Sequence, residues 1–183
     1  MEPIMKALYL SLSAAAFLLV ATTAGAANRI ENPGFETGDL TGWSTFGQGW
    51  RCSSGEDTHS GDSGVVNDVL DTDSDEWRGI YQNIPVSAGA TCSAKVSIRA
   101  VNIHSSSSWL ELQWLDEDGS VIEQLQSPWV TDDQSFKSVK LDSVVAPPGT
   151  VTASVRGVVS MPSLPEDGAE FHIFDDFVFR SKP

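Results

Sequence analysis

The sequence predicts an all-β protein, a two-sheet antiparallel β-sandwich of the jelly-roll type, and three observations predict it. From Asn28 onward no segment repeats its apolar residues at helical spacing. Short alternating segments recur instead, eight or nine of them. Clusters of Gly, Pro, Asp and Ser separate these segments, which is the punctuation of strands and tight turns.

The first 27 residues stand outside this pattern. Leu8 to Val20 is an uncharged apolar run preceded by Lys6 and followed by the small-x-small triplet Ala24-Gly25-Ala26. The run is short for a membrane span and has the layout of a cleaved secretory signal peptide. Residues 1–27 are therefore read as removed, and residues 28–183 as a single exported domain, periplasmic or extracellular, with no membrane insertion after cleavage.

Within that domain the expected strands are Arg29 to Ile30 with an irregular continuation, Val65 to Leu70, Gly79 to Ile84, Cys92 to Val101, Trp109 to Leu115, Val121 to Gln124, Phe136 to Val144, Val151 to Val159 and Phe171 to Phe179. Side chains alternate across a strand, so three of these separate into faces. Cys92, Ala94, Val96, Ile98 and Ala100 form an apolar face opposite Ser93, Lys95, Ser97 and Arg99. Leu110, Leu112 and Trp114 oppose Trp109, Glu111 and Gln113. Val155, Gly157 and Val159 oppose Thr152, Ser154 and Arg156. Asp116-Glu117-Asp118-Gly119 reads as a hairpin turn and Pro147-Pro148-Gly149 as a sharp connection.

Charge narrows the partners. The chain carries 25 acidic against 11 basic side chains, a formal −14. Signal removal takes one of each sign, Glu2 and Lys6, and leaves the balance unchanged. Nucleic acid is bound by clustered Lys and Arg, so this composition argues against it. The two cysteines, Cys52 and Cys92, lie in the exported part, where an even count points to one disulfide. Such a bridge would close a loop of about 40 residues and contribute roughly 3–4 kcal/mol. The alternative is two free buried thiols. Neither reading supplies a catalytic cysteine.

No G-x-S-x-G, H-E-x-x-H or P-loop motif is present, and His59, His104 and His172 are scattered without metal-ligand spacing. The run Asp71-Thr72-Asp73-Ser74-Asp75-Glu76 lacks the glycine and the terminal glutamate of an EF-hand loop and reads as a solvated acidic loop. No catalytic residues are assigned.

Five segments carry a family resemblance. They are Asn32-Pro33-Gly34-Phe35-Glu36 through Gly42-Trp43, His59-Ser60-Gly61-Asp62-Ser63-Gly64, Gly79-Ile80-Tyr81-Gln82-Asn83-Ile84-Pro85-Val86 with Ala88-Gly89, Asp116-Glu117-Asp118-Gly119, and Phe174-Asp175-Asp176-Phe177-Val178. In order and spacing they resemble the carbohydrate-binding modules of the xylan- and glucan-binding β-sandwich kind, a galactose-binding-domain-like jelly roll. The resemblance implies a structural Ca²⁺ where the first and last strands meet. Glu36 and one of Asp175 or Asp176 would supply carboxylates, Asp175 being favoured because alternation lets one of the two face the site. Asn32 or Gly34, and Ser60 or Asp62, would add backbone oxygens. Such hard oxygen donors suit Ca²⁺.

Sugar recognition needs flat aromatic faces and planar hydrogen-bonding groups. Trp109, Glu111, Gln113, Arg99 and Arg156 supply that mixture on the polar faces of the central strands, and Trp77 with Tyr81 extends it. Trp43, Trp50 and Trp114 are assigned to the core, and Trp129 sits in a loop open to either role. The expected function is non-catalytic polysaccharide or cell-surface glycan binding. The alternative is a matrix, adhesion or scaffold module that binds no sugar.

Overall fold

The computed structural model describes residues 26–70, 76–132, 135–163 and 169–183. The expected signal segment up to residue 25 and the acidic run Asp71 to Asp75 lie outside the described residues. Two antiparallel five-stranded sheets face each other. The strands are β1 (Ser44–Phe46), β2 (Trp50–Ser54), β3 (Ser63–Val69), β4 (Trp77–Pro85), β5 (Thr91–Val101), β6 (Ser107–Leu115), β7 (Val121–Gln126), β8 (Lys137–Val145), β9 (Thr152–Ser160) and β10 (Glu170–Lys182). One sheet runs β1-β4-β9-β6-β7 and the other β2-β3-β10-β5-β8. We call them the first and second sheet. The all-β sandwich is thus as the sequence predicts.

Between the sheets lies one core, built from the apolar faces that the alternation picks out. Leu110, Leu112, Trp114, Val155 and Val159 descend from the first sheet onto Val96, Ile98, Phe174, Phe177 and Phe179 of the second. Gly157 is required there: a Cβ would come within 2.8 Å of the Phe174 ring and 3.0 Å of Phe177. Trp43 and Trp114 are core and Trp50 packs against it, as expected.

Two strand assignments differ. Arg29 to Ile30 forms no strand; it is tied to β10 by the Arg29 N–H donating to the Phe179 carbonyl at 2.9 Å. β1 and β2 appear instead in a stretch without alternation, because both are short and are joined through Gly47 and Gly49, each at positive φ.

The disulfide is not formed: both cysteines are free. Cys52 pairs with Val65, Val65 with Phe174, and Phe174 with Ile98, three strand spacings away. Cys92 stands further along the strand of Ile98, at its other end. At about 4.8 Å per spacing and 3.4 Å per residue the thiols are roughly 25 Å apart, whereas a disulfide needs Cα atoms within about 7 Å. Burial raises the pKa of both thiols, which keeps them poor nucleophiles.

Candidate functional site: the outer face of the first sheet

The strand register places a row of functional side chains across the solvent side of the first sheet. Ser44 of β1 lies opposite Tyr81 of β4, Tyr81 opposite Arg156 of β9, Arg156 opposite Glu111 of β6, and Glu111 opposite Gln126 of β7. A second row runs Asn83, Ser154, Gln113, Gln124. Trp109 lies one step from Glu111 on the same face, opposite Val158, and Trp77 occupies the start of β4.

Three tryptophans meet at one end of these rows. The Trp129 indole stacks on Trp109 with centroids 4.8 Å apart and planes 15° apart. Trp77 meets Trp109 edge to face, 5.9 Å away at 80°. Trp109 is wholly covered, while Trp77 and Trp129 each remain 50% exposed. Trp129 is held firmly, because its neighbours Ser127 and Val130 both bond to β6: Ser127 N–H to the Leu110 carbonyl at 2.9 Å, and Val130 with Ser108 in both directions. A platform fixed in this way loses little entropy when a ligand stacks on it.

The polar half of the face is one network centred on Glu111. Its Oε2 accepts from Trp109 Nε1 at 3.3 Å, Gln124 Nε2 at 2.9 Å and Gln126 Nε2 at 3.2 Å, and its Oε1 accepts from Gln113 Nε2 at 2.9 Å. Gln113 Nε2 also donates to Gln124 Oε1, and Trp129 Nε1 to Gln126 Oε1. Arg156 lies over the rings of Tyr81 at 5.1 Å and Phe46 at 5.9 Å, with its Nε bonded to Ser154 Oγ. Burial lowers the Arg156 pKa, partly offset by the charge of Glu111.

Six of the seven predicted binding residues are brought to this face: Trp109, Glu111, Gln113, Arg156, Trp77 and Tyr81. Arg99 is not. It lies on β5 in the second sheet and donates to the Glu56 carbonyl at 2.8 Å. Alternation separates core from solvent on each strand but carries no information on which sheet the strand joins. Trp109 also departs from expectation, as a covered floor and not an exposed platform. Gln124, Gln126 and Phe46 were missed by sequence reasoning. The clustering of Gln113, Gln124 and Gln126 beside a tryptophan was the available signal.

The residues named for a cation lie around the bulge of β10, the central strand of the second sheet. A bulge between Asp175 and Val178 breaks the alternation of β10, with Asp176 at φ 53°, so both aspartates reach the same turn. Asp175 Oδ2 accepts from the backbone N–H groups of His59 and Ser60 at 2.8 and 3.0 Å. Asp176 bonds Ser60 Oγ at 2.7 Å and His59 Nδ1 at 2.6 Å. Glu36 accepts from the Asp62 N–H, 3.0 Å from Oε2. Burial raises the Asp175 pKa against the opposing pull of three backbone N–H groups.

The donor set at that corner can be tested for a hard cation. Seen from a Cβ built on Gly34, Asp175 Oδ1 is 3.3 Å away and Glu36 Oε1 3.6 Å, so both oxygens lie near this glycine. Glu36 lines a cavity of about 520 Å³ together with Asn32, Pro33, Gly34, Thr37, Ser60, Gly61 and Asp176. The Asn32 carbonyl already accepts from Phe35 N–H and Trp43 Nε1 and has no lone pair left to give. Among the described residues no group of three or more His, Cys, Asp or Glu side chains could by itself hold a metal ion. Glu36 and Asp175, both now engaged by backbone N–H groups, are the carboxylates that could serve an oxygen-bound cation at this corner, with the rest of its ligands from backbone or water.

No family model and no curated protein matches this chain. Solved structures do. A CBM61 module from a complex with β-1,4-galactotriose superposes at TM-score 0.62 with 18% identity, covering 86% of this chain and all of its own. The CBM22-1 xylan-binding domain of Paenibacillus barcinonensis Xyn10C superposes at 0.59 with 16% identity, over 87% of this chain and 97% of its own. A family 16 carbohydrate-binding module gives 0.56 and 15%, over 83% and 99%. The chain has the fold of a carbohydrate-binding module. An arabinose-bound α-L-arabinofuranosidase also matches, at 0.63 and 14% identity, and there this chain spans 26% of the other.

Within this module fold one further polar cluster is buried, at the end of the sandwich where β6 and β10 approach. His172 Nε2 lies 2.7 Å from Ser106 Oγ and its Nδ1 2.9 Å from Ser108 Oγ. Glu170 accepts from the backbone N–H groups of Ser105 and Ser106 and from both serine hydroxyls. Burial lowers the His172 pKa to about 4, opposed by the charge of Glu170 and reinforced by that of Arg78. The cluster has no opening to solvent, since Glu170 and His172 are wholly covered. It joins the two sheets and offers no substrate access.

Proposed function

We propose that this protein is an exported, non-catalytic module that binds a polysaccharide through the outer face of the first sheet. The observation that carries the reading is the pairing of two half-exposed indoles, Trp77 and Trp129, with a planar amide and guanidinium surface on one sheet face. Indole faces receive the C–H surfaces of pyranose rings, and fixed amides sort their hydroxyls. Structures of the same fold solved with β-1,4-galactotriose, or described as xylan-binding, support a glycan partner. Glycoside hydrolysis ordinarily needs two carboxylates about 5–9.5 Å apart. Within the five strands of this sheet the register places a single one, Glu111, on the outer face. A glycan array should identify polysaccharide ligands, and Trp129→Ala should weaken the best of them at least tenfold, about 1.4 kcal/mol, while leaving the fold intact. An array with no ligand favours the adhesion or scaffold role.

A structural Ca²⁺ at the Glu36–Asp175 corner is part of the same proposal. A cation bound only by the folded state stabilises it, by about 2.7 kcal/mol at a hundred times its Kd. Chelation should lower the melting temperature by several degrees in the wild type and by much less in Glu36→Ala. Equal melting with and without chelator would remove the cation from the account.

A further inference from the structure

Glu111 stands at the centre of the proposed face, yet it is covered and its hydrogen-bonding capacity is turned inward to its neighbours. An ionised carboxylate offers about two acceptor positions on each oxygen; N–H groups of Trp109, Gln124 and Gln126 crowd Oε2, and that of Gln113 takes one of the two positions on Oε1. It is also 5% exposed. With Oε2 fully taken and the carboxylate this covered, a hydroxyl of a bound sugar meets the surrounding amides before it meets Glu111.

The groups that Glu111 orients are not saturated. Gln124 and Gln126 each use one amide hydrogen on Glu111, leaving the second. Among the described residues, Arg156 bonds only through Nε, so its two terminal nitrogens keep their hydrogens. Gln113 Oε1 has no hydrogen-bond partner among the described residues, whereas its Nε2 serves two acceptors. Gln126 in turn accepts from the Trp129 indole. The surface left open is therefore the outer ring of Trp129 bordered by N–H donors, with one amide oxygen.

We infer that Glu111 is a positioning residue that does not meet the ligand: it locks three glutamine amides and, through Gln126, the Trp129 platform. The ligand-contacting groups are Trp129, Trp77, Gln113, Gln124, Gln126 and Arg156. The ligand is a neutral pyranose polymer, because the face carries one positive and one negative group, Arg156 and Glu111, on adjacent strands. A carboxylate or sulfate brought to Arg156 would meet the Glu111 charge within the same low-dielectric patch. The role of Glu111 is independent of any ligand; the contact set and the neutral ligand rest on the glycan-binding reading above.

The test is Glu111→Gln, whose amide replaces one of the two acceptor oxygens by an NH2 group at a point where four N–H groups meet. In the ligand-free protein, NMR should show the side-chain amide signals of Gln113, Gln124 and Gln126 and the indole N–H signals of Trp109 and Trp129 all displaced. Affinity for each glycan bound by the wild type should fall tenfold or more by a common factor, with the order of preference among hydroxyl epimers unchanged. If the ligand-free signals stay in place, or if the order of preference changes, Glu111 contacts the ligand and the inference is wrong. Should Glu111→Gln not fold, Gln126→Ala on the edge strand β7 serves: it should displace the Trp109 and Trp129 indole signals, and unmoved signals overturn the network. The ligand-free spectra decide the positioning role even if no glycan is bound, and wild-type binding confined to uronate or sulfated glycans would overturn the neutral ligand alone.

Discussion

Lowering the pH from 7 to 4 should destabilise the fold by about 3 kcal/mol through His172 alone. Its ring is enclosed between Ser106 and Ser108, and burial drops its pKa from 6.5 to about 4. Between these two values the unfolded chain takes up a proton that the folded one refuses. Stability therefore holds above pH 6.5 and declines as the pH falls toward 4, where the full cost is reached. Glu170 acts in a different window. Burial would raise its pKa, but the hydrogen bonds from Ser105 and Ser106 outweigh that and hold it below the usual value of 4.5. Its contribution is present above pH 4.5 and is lost only at more acid pH, as the carboxylate protonates. Asp175, raised by burial, works in the opposite sense near pH 4, since the folded state then holds the extra proton. Urea midpoints from pH 7 to 4 should fall steeply in the wild type and be much flatter in His172→Gln. The same slope in both would show that His172 is not the group responsible.

Phe177→Ala should cost about 3–5 kcal/mol, the usual range for removing a fully enclosed ring. The ring packs on Trp43 at 4.6 Å, on Phe35 at 6.2 Å and on Phe174 at 6.2 Å, and is wholly buried. Phe35 and Trp43 belong to the segment that leads into β1, so this contact fastens the N-terminal stretch to the last strand. The bulge after Asp175 makes it possible: Phe174 and Phe177 are three residues apart, and only an extra residue between them lets both face inward. Chemical denaturation should show the loss, together with a weaker effect of chelator, because Glu36 stands beside Phe35. A loss below about 1 kcal/mol would mean that the cluster collapses around the gap and that the N-terminal segment is held by other contacts.

Where a strand alternates, its inward face was legible from the sequence. Leu110, Leu112 and Trp114 had to face inward once Glu111 and Gln113 were seen to interleave with them, and the structure places them so. Alternation does not give the partner of a strand. Arg99 and Glu111 both lie outside the core, on opposite sides of the sandwich, and nothing in a period of two separates those cases. The same blindness accounts for the cysteines, whose even count holds no distance. At β10 the rule itself failed, since a bulge turned both Asp175 and Asp176 toward His59 and Ser60. Trp129 was undecidable for a further reason. Its place depends on Ser127 and Val130 resuming the pairing with β6 beyond the end of β7, a tertiary event with no local signature.

The central claim is that ligand meets the outer face of the first sheet. The most direct measurement is an NMR titration of the protein with the best polysaccharide fragment from the array, following backbone, indole and side-chain amide signals together. The largest shifts are expected at Trp129, Trp77, Gln113, Gln124, Gln126 and Arg156, with Arg99 and the rest of the outer face of the second sheet unmoved. Shifts concentrated around Arg99, or at the Glu36–Asp175 corner, would contradict it.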